Sequence, residues 1–247
     1  MLAERPKLCW TGRKISMRPF NALAAFSNIV EMRTKVISMG TFFSAVLYSR
    51  YAAGELSLPL LAMMTGAVLC VDMGTTALNS FFDFVRGVDR VGRTTEGDKV
   101  LVKGEVPPGA ALLISAGLYA GAAVLGILIA FHTGIEVIAA GAVCMAVGVL
   151  YNAGPLPLSS TPVGELFAGG FLGSVLFLIT FYVFTNGLTV SALLVSLPFT
   201  FYIASVLTVN NTCDAEGDAE AGRKTLAVLC GRNCGRVLIY LLGGAAY

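Results

Sequence analysis

Charge is what this sequence has least of. Of its 247 residues 13% are Asp, Glu, Lys or Arg, where a soluble globular domain carries about 25%. The mean hydropathy is +0.77. Such a composition leaves too little polar surface to cover a water-soluble globule. From Leu166 to Cys213 there is no charged residue at all. A membrane-spanning helix needs only about 20 apolar residues, so that stretch alone holds two. Basic excess is also scarce: a net charge of +2 supplies no basic face and excludes a nucleic-acid partner. The apolar runs are long and continuous, which excludes an outer-membrane barrel. Residues 1–35 contain no apolar core of the kind a secretory signal carries. The single histidine, His132, and the cysteines offer no metal-site spacing. Cys9, Cys70, Cys144, Cys213, Cys230 and Cys234 read as reduced small hydrophobes.

What remains is an all-α, polytopic transmembrane helical bundle occupying residues 1–247 as a single domain. Spans are expected near 36–54, 58–82, 107–131, 137–153, 163–185 and 189–211, with Thr185-Asn186-Gly187 as the turn that splits the longest run. A seventh run, Val237–Tyr247, is too short to cross a bilayer and suggests a C-terminal truncation. With six crossings, all of the 17 basic residues except Arg50 fall on one side. The positive-inside bias makes that side cytoplasmic, together with the N-terminus. The expected location is the cell membrane, multi-pass, with the lipid bilayer as solvent.

The acids are as unevenly placed as the bases. Asn79, Asp83 and Asp89 stand at the cytoplasmic end of the second span, and Asn210, Asn211, Asp214 and Asp218 at that of the sixth. Residues four apart share a helical face, so Asn79 sits with Asp83, Asn210 with Asp214, and Asp214 with Asp218. Glu96, Asp98, Glu105 and Glu220 fit ordinary solvated loops. The two clusters do not, because each begins inside an apolar span, where polar groups are costly and face a cavity or a partner. Carboxylates with carboxamide oxygens are hard ligands suited to Mg²⁺, which binds through one or two carboxylates plus substrate phosphates. An anionic ligand with an apolar body, held at the membrane edge, points to an isoprenyl diphosphate. Asp72 lies two turns deeper on the face of Asn79, either neutral and paired with Thr75 or Thr76, or behind the site.

The two acidic segments resemble the paired aspartate-rich motifs of the UbiA-type intramembrane prenyltransferases. The family's first motif reads Asn-Asp-x-x-Asp with a further Asp downstream; Asn79, Asp83 and Asp89 match it, and Ser80 stands where an Asp is usual. Phe81 through Asp89 looks most like the 1,4-dihydroxy-2-naphthoate branch of menaquinone synthesis. So does the second motif, Asn210 through Ala227, in which Cys213 replaces a common Arg. Glu31-Met32-Arg33-Thr34-Lys35 with Ser38, and Tyr151 through Pro157 followed by Gly164-Glu165, are similar to that branch too. The likeness covers residues 31–236.

The resemblance implies nine transmembrane helices around a central cavity and a Mg²⁺-dependent transfer of a prenyl group to an aromatic acceptor. Asp83, Asp214 and Asp218 would be catalytic. Asn79, Asp83, Asp89, Asp214 and Asp218 would hold the metal. Asn79, Arg86, Lys99, Tyr151, Asn210, Arg223 and Lys224 would bind substrate. Phe81, Phe82 and Phe84 read as packing residues, and Tyr151 as an aromatic at the site. Two alternatives stand beside a naphthoate acceptor: another aromatic such as 4-hydroxybenzoate, and a membrane transporter with an acidic cation site.

Overall fold

The computed structural model describes residues 22–89 and 99–247. The basic residues placed on the cytoplasmic side before residue 22, together with Arg90, Arg93, Glu96, Asp98 and Cys9, lie outside the described residues. The chain is helical, with no strand among the described residues. A short α1 (Ala22–Ile29) leads through a turn into α2 (Lys35–Ala53), α3 (Leu58–Arg86), α4 (Pro108–Thr133) and α5 (Glu136–Asn152). A longer helix, α6 (Gly164–Thr185), precedes α7 (Val190–Cys213). Three shorter helices close the chain: α8 (Ala215–Glu220), α9 (Leu226–Cys230) and α10 (Arg232–Ala245).

Each expected span is a helix within a few residues of its anticipated bounds. By length and composition α3, α4, α6 and α7 can cross a membrane; α5 is apolar but has only 17 residues. α2 is a 19-residue helix with Lys35 and Arg50 near its two ends. The chief extension is at α3, which continues past 82 to Arg86 and carries Asp83 on its last full turn.

The boundaries follow from local chemistry. Gly87 ends α3 at φ 69°, a left-handed position that glycine occupies without a Cβ clash. Asn186 turns the chain after α6 at φ 52°, and the Thr189 hydroxyl caps α7 by accepting from the Ala192 amide at 3.1 Å. The predicted Thr185-Asn186-Gly187 turn is therefore real.

Large apolar side chains point outward along these helices: Phe43, Leu47, Leu113, Phe131, Leu166 and Leu194 are exposed. That surface suits hydrocarbon and not water. Interior hydroxyls bond to the backbone of their own helix. Ser49, Thr65, Thr180 and Thr208 each donate to the carbonyl four residues earlier at 2.7–2.8 Å, the arrangement open to a polar group with no water nearby.

Phe42, Val46, Leu60, Met64, Val68, Ile129, Val137 and Val183 form an apolar interface drawn from α2 to α6. α6 meets α7 more closely. A turn of π-helix, Gly170–Val175, interrupts α6, and the Ser174 amide and hydroxyl reach Thr200 Oγ1 at 3.0 and 2.7 Å. A Cβ on Gly173 would lie 2.5 Å from the Thr200 nitrogen, whereas one on Gly170 would meet nothing within 4 Å. Gly173→Ala is therefore expected to force the helices apart and destabilise the protein by about 1–3 kcal/mol, read as a lower melting temperature in detergent. Gly170→Ala serves as the control and should leave that temperature unchanged or slightly raised.

Candidate functional site

The last two turns of α3 place Asn79 and Asp83 on one face, and Asn79 Nδ2 donates to Asp83 Oδ2 at 2.8 Å. After Arg86 the backbone folds back, and the amides of Val88 and Asp89 both donate to the Asp83 carbonyl. Asp89 pairs with Lys99 at 3.5 Å, and Lys99 Nζ reaches Glu31 at 2.8 Å. At the other helix end, α7 stops at Asp214, and α8 begins at the next residue. Asn210, Asn211 and Asp214 face a cavity of about 520 Å³ that Asn79, Asp83, Lys99, Tyr151 and Arg223 also line. Both acidic helix ends thus open onto one space.

Beyond this rim the wall is apolar. Met64, Val68 and Val71 of α3, Ile129 of α4, Val137 and Met145 of α5, Phe171, Leu172 and Leu176 of α6, and Ile203 of α7 line it. The cavity has a charged end and a hydrocarbon end.

Several expected site residues are placed elsewhere. Asp218 keeps the helical spacing to Asp214, its amide donating to the Asp214 carbonyl at 2.9 Å, but it does not line the cavity. It is buried, and its Oδ1 accepts from Arg223 at 3.1 Å. Burial raises the Asp218 carboxyl above the usual carboxylate range, with the Arg223 guanidinium opposing that shift. Arg223 also donates to the Ser159 carbonyl at 3.2 Å, and its charge reaches Asp83 and Tyr151. It is the cation that links the two acidic segments.

Arg86 is not a cavity residue. Its guanidinium donates to the carbonyls of Asn152 at 2.6 Å and Gly154 at 2.9 Å and lies 4.7 Å over the Phe82 ring. It ties the end of α5, and with it Tyr151, to α3. Lys224 is exposed, and its amide donates to the Ser160 carbonyl. Asp89 lies beside the cavity, close enough for its charge to act on Asp83. Phe81 and Phe84 pack into an apolar cluster with Val30 and Ala77.

Asp72 has a partner that the sequence reading did not name. Its Oδ1 accepts from Lys35 Nζ at 2.7 Å and its Oδ2 from Ser38 Oγ. Lys35 also donates to Thr76 Oγ1 at 2.6 Å. Thr75 bonds instead with Tyr119 at 2.8 Å. This ion pair, with Lys35 buried and Asp72 half-buried, lines the cavity between its polar and apolar ends. Glu165 and Asn152 were also missed as site residues. Glu165 is the last charge before the long neutral stretch, and it accepts from Asn211 Nδ2 at 2.8 Å. Asn152 bonds through Nδ2 to the carbonyls of Thr75 and Gly148.

Among the described residues no three His, Cys, Asp or Glu side chains converge as a ready metal cluster. The available donors are all hard oxygens on two facing helix ends. Mg²⁺ takes one or two carboxylates together with waters and substrate phosphates, so Asp83 with Asn79, and Asp214 with Asn210, fit an ion delivered with a phosphate-bearing ligand.

The fold and cavity define a multi-pass membrane protein with an acid-rimmed, apolar-bodied chamber. Residues 37–247 match the model of the UbiA prenyltransferase family, and the chain belongs to that family. It is 33% identical over 193 residues to 1,4-dihydroxy-2-naphthoate octaprenyltransferase of Bacillus subtilis, covering 78% of this chain and 62% of the relative. The enzyme of the same name from Mycobacterium tuberculosis is 32% identical over 177 residues, 70% of this chain and 58% of the relative. The chain thus spans less than two thirds of the length of these relatives. A UbiA homolog from Archaeoglobus fulgidus, solved with DMAPP and Mg²⁺, superposes with a TM-score of 0.68 at 16% identity, covering 90% of this chain and 75% of that one.

Ser80, which takes the place of a family Asp, is buried and donates to the Ile29 carbonyl at 3.0 Å. It does not line the main cavity. A carboxylate there cannot donate to Ile29 and would itself be buried. Ser80→Asp is therefore expected to lower the melting temperature and leave the Mg²⁺ titration midpoint unchanged, contrary to the tightening that the motif comparison alone suggests.

Proposed function

We propose that this protein transfers a prenyl group from an isoprenyl diphosphate to an aromatic acceptor in a Mg²⁺-dependent reaction, the acceptor being 1,4-dihydroxy-2-naphthoate of menaquinone synthesis. One observation carries the reading: two Asn/Asp helix ends and Arg223 rim a cavity whose far end, past the Lys35–Asp72 pair, is walled by apolar side chains. A diphosphate matches the rim and a prenyl tail the wall. The acceptor is the finer part of the proposal. It rests on the likeness to the two naphthoate octaprenyltransferases and on the matching segments at Phe81–Asp89 and Asn210–Ala227. The positive-inside bias supports a cell-membrane protein with the acid-rimmed end facing the cytoplasm.

Transfer requires the allylic C–O bond to break, with its electron pair leaving on the diphosphate. A ring carbon of the acceptor then forms the new C–C bond, and the ring loses its carboxyl group as CO₂. Mg²⁺ bound with the diphosphate supplies Lewis-acid stabilisation of the departing charge. Asp83 and Asp214 would hold the Mg²⁺ that accompanies the diphosphate, from two sides of the cavity. Arg223 offers N–H donors to its oxygens, and Asp218 keeps that guanidinium aimed from behind. Lys99, anchored by Glu31, adds a second cation at the rim. The apolar wall excludes water that would otherwise trap the allylic cation. Tyr151, held at the end of α5 by Arg86, presents an aromatic face there.

The direct experiment incubates the purified membrane protein with Mg²⁺, prenyl diphosphates of several lengths and a panel of aromatic acceptors, with products read by mass spectrometry. Prenylated naphthoquinol is the expected product, and product from no acceptor would overturn the reading. Asp214→Ala is expected to reduce turnover by about 100-fold or more without loss of membrane insertion, because removing an acid from a helix end does not oppose insertion. Arg223→Ala should raise the KM for prenyl diphosphate, whereas Arg86→Ala should chiefly lower the melting temperature.

A further inference from the structure

Glu165 is the buried acid to which the mechanism above assigns no task. It lies in the first turn of α6 and is 4% exposed. No Lys, Arg or His among the described residues forms an ion pair with it. Burying a carboxylate without a counter-ion is expensive. One of its oxygens accepts from Asn211 Nδ2 at 2.8 Å, and the other is buried with no hydrogen-bond partner. Asn211 lines the cavity; Glu165 stands behind it and does not.

The chemistry of this contact has a direction. A carboxylate only accepts hydrogen bonds, while a carboxamide has one donating end and one accepting end. With Nδ2 turned to Glu165, the oxygen is the end of Asn211 left for the cavity. Asn79 obeys the same logic on the facing helix, where Nδ2 donates to Asp83.

We propose that Glu165 is a positioning residue that fixes Asn211 with its carbonyl oxygen toward the cavity, so that Asn211 ligates the divalent cation accompanying the diphosphate. This inference rests on the diphosphate reading given above. Asn210, Asn211 and Asp214 together then offer three oxygen donors from one helix end. The negative charge of Glu165 also polarises the Asn211 amide and makes its oxygen a better ligand.

The test titrates Mn²⁺ into the protein in lipid nanodiscs, with an unreactive thio-analogue of geranyl diphosphate and no acceptor. Free Mn²⁺ is followed by electron paramagnetic resonance, and melting is measured in parallel. Glu165→Gln keeps the side-chain shape but can present either amide end to Asn211, which allows the carboxamide to flip and point its NH₂ into the cavity. Mn²⁺ affinity is expected to fall by about tenfold or more, while the melting temperature stays the same or rises, because an unpaired buried carboxylate has been removed. Adding Asn211→Asp to Glu165→Gln restores an oxygen toward the cavity, since the glutamine amide introduced behind it can donate to the new carboxylate, and affinity should recover.

Loss of affinity with a lowered melting temperature and no recovery in the double variant would mean that Glu165 only supports the fold, and would overturn the proposal. Asp214→Ala separates the two layers of argument. If that variant loses Mn²⁺ and Glu165→Gln keeps wild-type affinity, the positioning role is wrong and the diphosphate site stands. If both keep it, both ideas fall.

Discussion

A carboxylate or guanidinium inside a bilayer must find a partner within the protein, because hydrocarbon offers none. That constraint arranges this molecule. Hydroxyls along the helices turn back onto their own carbonyls. The one acid deep in α3, Asp72, draws Lys35 of α2 into the interior, and the ion pair joins two helices at a depth where apolar contact alone would leave their rotation free. The remaining acids collect at helix ends, where water, cations and a ligand can reach them. A cavity that is polar at one end and apolar at the other follows from this sorting.

The same constraint explains how the arginines divide their work. Two of them, Arg86 and Arg223, sit beside acidic motifs in sequence and look equivalent there. Arg86 lies against α5, whose last carbonyls have no partner within their own helix. It bonds to the Asn152 and Gly154 carbonyls and becomes a structural tie. Arg223 is held from two sides, by Asp218 and the Ser159 carbonyl, and still lines the cavity. Its position fixes the stretch after α5 against the start of α9 and gives the rim its principal positive charge.

The helices and the two acidic ends were legible in the sequence because both are local patterns. Spans announce themselves as long neutral runs, and the motifs as acids that interrupt them at matching ends. Asn79 with Asp83 was readable from helical spacing alone. What could not be read was the pairing of residues far apart in the chain: Lys99 with Glu31, Arg86 with Asn152, Glu165 with Asn211. Each depends on which helix ends meet in space, and periodicity carries no information about that. Asp218 shows the limit within a motif. Its four-residue spacing from Asp214 holds as a helical hydrogen bond, but the Asp218 side chain is buried against Arg223 and does not reach the cavity, which spacing alone could not tell.

The π-turn in α6 sets the phase between two faces of one helix. In a regular α-helix each residue advances by about 100°, so one inserted residue rotates everything after it by roughly that angle relative to everything before. Upstream of Gly170, α6 must aim Glu165 at Asn211 and Phe167 at the cavity. Downstream it must aim Leu176 and Ile179 at the same cavity while burying Phe177 and Phe181 against Ala45 and Ala192. The wide turn reconciles those two phases. α6 therefore behaves as two half-helices with separate angular settings, and a single-residue deletion within Gly170–Val175 would act as a rotation: it would swing Leu176 and Ile179 away from the cavity while leaving Glu165 and Phe167 where they are.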